Sequence, residues 1–465
     1  MTENEDEIRM ICAALEMVFR ASTESVRMNY REVGPSIVPL LINIIEKCEK
    51  SKCSNPEVSI LNVSKVLLYF SRVQELRKVL VDHNGMLSTL TRVSSTLLSQ
   101  EARILRIRII ANLCNAEDNK VRMSKHPGFL DSILKVAATD SSSTAREYAA
   151  ASLMDLASSS KTQEDMANHD RLLATLVKLV VADETNEARE YAVTAIQNLA
   201  FLKTNRVRLV QFSDGVIIEA LKKALSSDNN EKSRRRAAGA ITNLACEETA
   251  ELMEGHTGLL DVIAKAANHD TNEDVQKRSC LALSKIISSS SIDSQYFINS
   301  MNALVRASGG KNSTGLPAVF RLKARDASRR HEMARIPGLL DALAEIYFSD
   351  YFNMKDKDNA IRAIMHLTND TENRKAICNK KILECLVAAA NRDEVDLKET
   401  RDSAVISIER LATEITNRKY MARHPSLLCV IAKATERESV SELNGEKSSQ
   451  PRLAKQLLMS LLLEM

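Results

Sequence analysis

Histidine is the residue type whose pattern could most readily support metal or acid–base chemistry. Five of the eight histidines occupy the same turn, DHNGML, KHPGFL, NHDRLL, GHTGLL and RHPSLL, in segments of similar sequence; they are His83, His126, His169, His256 and His424. Zinc ligands lie at about 2 Å from the metal, whereas equivalent residues of stacked helical layers are about 10 Å apart. These histidines therefore cannot share one metal. We expect them to complete the turn before a helix, and we expect no metal and no cofactor.

Other motifs for catalysis or phosphate binding fail on spacing. The segment GGKNST, Gly309 to Thr314, lacks the first glycine of a P-loop and the hydroxyl after its lysine. Neither Gly-x-Ser-x-Gly nor HExxH occurs. The nine cysteines include no CxxC pair, which fits a reduced intracellular compartment. We therefore expect a protein without enzymatic activity, located in the cytoplasm, with the nucleus as the alternative.

The histidine turns belong to a unit that recurs along the chain. Ala188 to Leu225 reads as helix, turn, short helix and helix, and Thr144 to Val180 and Arg234 to Ala267 repeat that pattern. One apolar residue, here named the closing residue, ends the long helix of each unit, at Val18, Phe70, Leu113, Leu156, Leu199, Leu244, Ile286, Leu322, Leu367 and Leu411. The intervals are 52, 43, 43, 43, 45, 42, 36, 45 and 44 residues. Helical periods of roughly 40–47 are typical of armadillo and HEAT arrays.

The sequence pattern within each repeat distinguishes an armadillo array from a HEAT array. The long helices EYAAASLMDLA, EYAVTAIQNLA and RRAAGAITNLA, with turns such as HPGFLDSILKV, resemble the armadillo repeat over about residues 8 to 435. The resemblance implies an all-α fold, a right-handed α-α superhelix (solenoid) of about ten helical repeats, whose concave groove binds protein partners. Tryptophan is absent and aromatic residues make up 4% of the chain, a composition that disfavours strands.

The predicted domain organisation is simple. An array covers residues 8–435 and is irregular at 288–317, residues 436–451 form a flexible loop, and residues 452–465 form a C-terminal capping helix. The net charge of +3 argues against a main role in nucleic-acid binding. The acidic start MTENEDEIRM does not read as a signal peptide, and no apolar run reaches the ~20 residues of a membrane span.

The armadillo resemblance also implies which side chains face the groove. The residue before each closing residue is polar, at Asn112, Asp155, Asn198, Asn243, Lys285, Arg321, His366 and Arg410. An asparagine both donates and accepts hydrogen bonds, so a row of them can hold the backbone of an extended peptide. The alternative is that these asparagines are ordinary consensus residues that bond neighbouring loops. The importin-α family has a tryptophan four residues before its asparagine, where this chain has Arg108, Ala151, Thr194 and Gly239.

Charge on the presumed groove suggests a partner. Basic residues fall on groove-facing positions at Arg108, Arg236, Arg278, Lys285, Arg362, His366 and Arg410. Glu147, Asp155 and Glu190 make the middle acidic or neutral, and Tyr148 and Tyr191 sit together there. We hypothesise a basic C-terminal groove that accepts an acidic extended segment, resembling the acidic tails bound by the β-catenin family. The alternative is that these are solvated helix charges.

The predicted function is a non-catalytic scaffold or adaptor that binds a protein partner along its groove. Two alternatives stay open. One is a transport receptor resembling importin-α, which the missing tryptophans disfavour; the other is a regulator of a folded partner such as a small GTPase or a chaperone.

Overall fold

The computed structural model describes residues 24–49, 56–94, 98–291, 293–394 and 397–443, and all regular secondary structure in these ranges is helical. The chain divides into two compact units, Met1–Leu244 (unit 1) and Ala245–Met465 (unit 2). The described helices of unit 1 are α1 Glu24–Glu49, α2 Pro56–Arg72, α3 Gln74–Asp82, α4 Met86–Leu90, α5 Gln100–Cys114, α6 Glu117–Lys125, α7 Phe129–Thr139, α8 Ser143–Ala157, α9 Gln163–Ala167, α10 Asp170–Ala182, α11 Asn186–Leu199, α12 Arg206–Gln211, α13 Val216–Ser227 and α14 Glu231–Leu244. Short 3₁₀ segments lie at Thr91–Ser94 and Lys203–Asn205.

The described helices of unit 2 continue the numbering. They are α15 Glu247–Gly255, α16 Leu259–His269, α17 Glu273–Ser289, α18 Phe297–Ser308, α19 Leu316–Ala324, α20 Arg330–Ala334, α21 Leu339–Phe348, α22 Met354–Leu367, α23 Arg374–Ile377, α24 Lys380–Ala390, α25 Lys398–Ala412, α26 Ile415–Ala422 and α27 Leu427–Leu443, with a 3₁₀ segment at Thr371–Asn373. The long helices are α2, α5, α8, α11 and α14 in unit 1, and α17, α19, α22 and α25 in unit 2.

In most repeats, the long helix begins after a residue whose side-chain hydroxyl or amide oxygen caps the helix N-terminus. Ser142 Oγ accepts from the Ala145 backbone N–H and Thr185 Oγ1 accepts from that of Ala188, which satisfies a donor that the helix itself leaves unpaired. The buried faces of α8 and α11 are rich in alanine. These small side chains let neighbouring long helices pack more closely than the medium helices do.

The turns before the medium helices match the prediction. Gly128 has a φ of 70° and Gly258 a φ of 72°, in the left-handed region that glycine enters without strain. In these turns the backbone carbonyl of the histidine accepts from the first residue of the next helix, as His126 does from Phe129 at 3.1 Å. His169 instead caps α10 with its side chain, because its Nδ1 accepts from the Leu172 N–H.

The region around residues 288–317 has fewer and shorter helices than the other repeats. Among the described residues between α17 and α18 no short helix forms, and α19 spans only nine residues. The loop before α19 is held by side chains: Ser313 is buried and its Oγ donates to the Ser308 carbonyl at 3.1 Å, while the Gly315 N–H donates to Asp356 Oδ1 at 3.1 Å.

The prediction that Leu322 is the buried closing residue of this repeat is wrong. Leu322 is 47% exposed, whereas Lys323 is 4% exposed and its Nζ donates to the Ser290 carbonyl at 2.8 Å. One arginine in the turn after each of these long helices, here called a turn arginine, shows which residues of the two repeats are equivalent. Arg330 Nε donates to the carbonyl six residues before it, as Arg374 Nε does in the next repeat. Lys323 therefore occupies the closing position and Leu322, not Arg321, the position before it.

The C-terminal boundary also differs from the sequence-based expectation. Helix α27 continues to Leu443, so residues 436–443, predicted as part of a flexible loop, are helical. The rest of that predicted loop, the capping helix at 452–465, and the first closing residue Val18 lie outside the described residues.

Buried asparagines connect each repeat to the one before it. Their Nδ2 atoms donate both to the carbonyl six residues earlier and to a carbonyl about one repeat earlier; the residues are Asn119, Asn205, Asn373 and Asn417. A second set of connections in unit 1 is ionic and joins Arg103 to Asp140, Arg146 to Asp183 and Arg189 to Asp228 at 2.7–2.9 Å.

Candidate binding surfaces on the long helices

The long-helix face is the side of the stacked long helices that carries the residue before each closing residue. In unit 1, Asn112, Asn198 and Asn243 are half-buried on this face. Their Nδ2 atoms donate to the preceding repeat: to Ser71 Oγ at 2.9 Å, to the Met154 carbonyl at 3.2 Å and to the Gln197 carbonyl at 3.3 Å. Their Oδ1 atoms accept no hydrogen bond from any described residue.

These contacts bear on the two interpretations of the asparagines, as peptide-binding residues or as consensus residues that join neighbouring repeats. One N–H of each amide already joins neighbouring repeats, which is the consensus role. The Oδ1 atom of each amide retains its acceptor capacity, which these inter-repeat bonds do not use. The two roles are therefore compatible.

Aromatic and acidic side chains lie beside the asparagines of unit 1. The guanidinium of Arg108 lies over the Tyr148 ring, 5.2 Å from its centroid, in cation–π geometry. Burial raises the pKa of Tyr191, as do the charges of Glu147, Glu190 and Glu187. Arg108 thus contacts Tyr148, and Tyr191 lies within the influence of Glu147, Glu190 and Glu187.

Asp155 is an unusual carboxyl on this face. Burial raises its pKa to about 6, against the opposing charges of Lys120 and Arg77. Lys120 does not neutralise it directly, because its Nζ donates to Glu117 Oε2 and to Ser158 Oγ, both at 2.7 Å. The remaining unit 1 candidate, Arg236, is half-buried in α14, seven residues before Asn243 and thus about two turns away.

The basic candidates of unit 2 differ in their surroundings. Arg362 contacts Asp358 Oδ2 at 2.8 Å and also pairs with Glu399. Its charge is thus already balanced by two carboxylates. Arg278 and Lys285 are both exposed on α17, seven residues and so about two helical turns apart.

His366 is surrounded by arginines. Burial lowers its pKa to about 4, and the positive charges of Arg330, Arg321, Arg325 and Arg410 act in the same direction. The imidazole is therefore neutral at physiological pH. Burial also lowers the pKa of Arg410, with the charges of Arg374 and Arg330 adding to that effect and Glu409 opposing it.

We call this group the arginine cluster: Arg321, Arg325, Arg330, Arg374 and Arg410 around His366. Neutral acceptors hold its side chains. Arg374 donates to the Thr368 carbonyl at 3.0 Å and to Thr413 Oγ1 at 2.6 Å, and Arg410 donates to the Met365 carbonyl at 2.8 Å. None of the five arginines pairs with a carboxylate of the described ranges.

Sequence reasoning named His366 and Arg410 but not the turn arginines that complete the cluster. A signal for them exists in the sequence. An arginine recurs seven residues after the structural closing residue, at Arg206, Arg330, Arg374 and Arg418, and each Nε donates to the carbonyl six residues earlier. The connecting asparagines recur in the same way.

Comparisons with known proteins agree on the fold. One engineered protein of known structure aligns over 87% of this chain and 94% of its own, with 18% identity and a TM-score of 0.57. A structure from work on the phosphorylation switch controlling the interaction between cadherin and beta-catenin aligns over 97% of this chain and 91% of its own, with 14% identity and a TM-score of 0.55. The fold is armadillo-like.

A designed armadillo repeat protein in complex with the peptide (KR)4 also aligns with 54% of this chain and 99% of its own, at 22% identity and a TM-score of 0.45. No family model matches this armadillo-like chain, and no curated protein matches it. In the described part of the chain, no helix is both long and apolar enough to cross a bilayer, and no group of three or more His, Cys, Asp or Glu side chains is arranged to hold a metal ion.

Proposed function

We propose that the chain is a non-catalytic protein-binding scaffold whose long-helix face in unit 2 holds an extended acidic segment of a partner. The observation that carries this proposal is the basic charge on the long-helix face of unit 2, where Lys285 on α17 and Arg410 on α25 hold equivalent positions and arginines surround the neutral His366 on α22. The arginine cluster adds charge that the described carboxylates do not balance.

The spacing suits an extended chain. Packed helices are about 10 Å apart, and an extended segment advances about 3.3 Å per residue. About every third residue of such a segment would meet a new helix. Acidic residues at those positions would each approach one of the basic positions, and charge would set partner choice and association rate more than affinity.

The two units would contribute differently. The long-helix face of unit 1 offers the Oδ1 atoms of three asparagines, which suit the backbone of a bound segment irrespective of its side chains. Arg362 in unit 2 contributes little, because a ligand would first have to displace Asp358 and Glu399.

Charge reversal on α17 tests the proposal. A fluorescent, Asp- and Glu-rich peptide of about 15 residues would span roughly 50 Å when extended, and its binding is followed by anisotropy. We expect the double variant Arg278→Glu, Lys285→Glu to weaken binding about tenfold, equal to about 1.4 kcal/mol.

The matched control places the same charge change on another face. The side chains of Lys380 and Lys381 on the medium helix α24 are 80% and 54% exposed. Their double reversal to Glu should leave the affinity within about twofold, because exposed charges more than a Debye length away are screened. Equal losses in both double variants would contradict binding on the long-helix face.

Two other results would favour the alternative functions. Preference for a lysine-rich peptide over the acidic one would support a transport-receptor role. Binding of a folded domain that survives the combined change of Asn112, Asn198 and Asn243 to Ala would support a regulator of a folded partner.

A further inference from the structure

The arginine cluster lacks the compensation that other arginines of the chain have. Arg146 and Arg189 in unit 1 each contact a buried carboxylate at 2.7–2.9 Å, and Arg362 in unit 2 has two carboxylate partners. Four arginines of the cluster donate only to neutral acceptors among the described residues, and the guanidinium of Arg325 bonds to none of these residues. The cluster thus concentrates positive charge without a carboxylate in direct contact, although the charge of Glu409 acts on Arg410.

Hydrogen bonds within the chain fix the positions of four of these arginines before any ligand binds. Arg330 and Arg374 are each held to the carbonyl six residues earlier, Arg321 donates to Asn359 Oδ1 at 3.0 Å, and Arg410 is held to the preceding long helix. Each bond uses one or two of the five N–H donors of a guanidinium. The remaining donors are available, and little side-chain freedom remains to be lost on binding.

The carboxylates on the turn beside the arginine cluster do not form ion pairs with its arginines. Asp370 and Glu372 lie 3.8 Å and 3.2 Å from His331 Nδ1. Burial and the surrounding arginines lower the pKa of His366 to about 4, so its imidazole is neutral and adds an N–H donor and no charge. An anion with several acceptor oxygens would relieve the repulsion among the guanidinium groups.

We propose that the arginine cluster is a binding site for a phosphorylated side chain within the partner segment. This inference rests on the proposed function, because the phosphate is delivered by a segment lying on the long-helix face of unit 2. A phosphomonoester carries a charge of about −1.5 to −2 and three acceptor oxygens. It can therefore satisfy several guanidinium forks at once, which one carboxylate cannot.

The local concentration of positive charge favours a single phosphate group over a polyanion as the ligand. Proteins that track nucleic-acid backbones use basic charge spread along the binding path, together with aromatic stacking. Here the arginines without a carboxylate partner gather on α19, α20, α23 and α25 and in the turn directly after α19, while the whole chain has a net charge of only +3. A local dianion matches that distribution.

The test uses the intact chain and three peptides of one neutral, Gly- and Ser-rich sequence. They differ only at the central residue, which is serine, glutamate or phosphoserine. At constant ionic strength we expect the phosphoserine peptide to bind at least about tenfold more tightly than the other two.

Three variants locate the site. Arg325 is exposed and its guanidinium bonds to no described residue, so Arg325→Gln should keep the fold and lower phosphopeptide affinity several-fold. Arg410→Lys keeps the charge but loses the guanidinium fork, and should also weaken binding. The control Arg306→Gln removes an exposed arginine paired with Asp261 on medium helices, and should have no effect.

A spectroscopic readout separates binding from altered stability. Bound phosphate should move the His366 pKa upward from about 4, which NMR of the imidazole protons measures in the intact protein. Equal affinity for the glutamate and phosphoserine peptides, or an unchanged His366 titration, would overturn the inference. Tighter binding of inorganic phosphate or of a short oligouridylate than of the phosphopeptide would also overturn it.

The outcomes distinguish this inference from the proposed function. If the acidic peptide binds and depends on Arg278 and Lys285, but phosphorylation adds nothing, the phosphate site fails and the proposed function stands. If the phosphoserine peptide binds in an Arg325-dependent manner while the acidic peptide does not bind, the phosphate site stands and the general acidic groove fails.

Discussion

Replacing Asp183 with asparagine tests the ionic connections between repeats of unit 1. The Asp183 side chain is 3% exposed and its Oδ2 accepts from Arg146 Nε at 2.7 Å, while Oδ1 accepts from Thr185. Removing one partner of a fully buried pair costs about 3–5 kcal/mol, whereas exposed pairs contribute about 0.2–1 kcal/mol. Arg146 is 16% exposed and keeps Glu184 as a partner, so we expect a loss of about 2 kcal/mol.

The matched control is Asp131→Asn. Asp131 contacts Arg171 at 2.8 Å, nearly the same distance, but the two side chains are 52% and 68% exposed. Its free energy of unfolding should fall by less than about 0.5 kcal/mol. Urea unfolding followed by far-ultraviolet circular dichroism compares the variants, and hydrogen exchange in α8 and α11 locates the effect, since long repeat arrays need not unfold in one step.

Acid adds a second test of the same pair. Burial alone would raise the pKa of Asp183, but the bonds from Arg146 and Thr185 outweigh it and hold that pKa below its usual value. A carboxyl with a lowered folded-state pKa contributes stability above its unfolded pKa of about 4 and loses that stability as the pH falls through the folded value. The difference between wild type and D183N should therefore shrink below about pH 4. Equal destabilisation by D183N and D131N, or a difference that grows in acid, would refute this reasoning.

Three further predictions concern single residues. The pKa of Asp155 is raised to about 6, so stability should fall as the pH rises from about 4 to 6; D155N should flatten that fall and be more stable at pH 7.5, as measured by urea midpoints. Asn205→Ala removes buried bonds to the Gln163 and Leu199 carbonyls at 3.1 Å and 3.0 Å, and should cost about 2–3 kcal/mol in the same assay. Asp214 has a φ of 57°, and Asp214→Gly should raise the thermal midpoint through a gain of up to about 1 kcal/mol. Unchanged pH dependence in D155N, a loss below about 0.5 kcal/mol for Asn205→Ala, or a lower midpoint for Asp214→Gly would contradict the respective argument.

The armadillo-like fold could be predicted because the same local sequence signals recur in each repeat. The alanine and leucine spacing of the long helices, the capping residue before them and the glycine after the histidine turn are all short-range signals. Gly85, Gly128, Gly258 and Gly338 have φ values between 70° and 92°, in the left-handed region that glycine enters without strain.

The candidate site was harder to predict because its charges depend on distant partners. Arg362 looked like a free basic residue, but its partner Glu399 lies 37 residues later on another helix. The error at Leu322 has a similar origin. Hydrophobicity favours burying Leu322 over the adjacent lysine, yet the Ser290 carbonyl, 33 residues away, accepts the Lys323 ammonium and reverses that choice.

The asparagines that connect consecutive repeats give assembly a direction. Asn205 reaches back to the Gln163 carbonyl in unit 1, and Asn417 reaches back to the Arg374 carbonyl in unit 2. During synthesis the N-terminal side emerges first, so each acceptor leaves the ribosome before its donor. For these asparagine connections, a nascent repeat therefore docks onto a repeat that is already complete, and a chain that stalls halfway leaves unpaired carbonyl oxygens, which water can satisfy, and no unpaired asparagine amide.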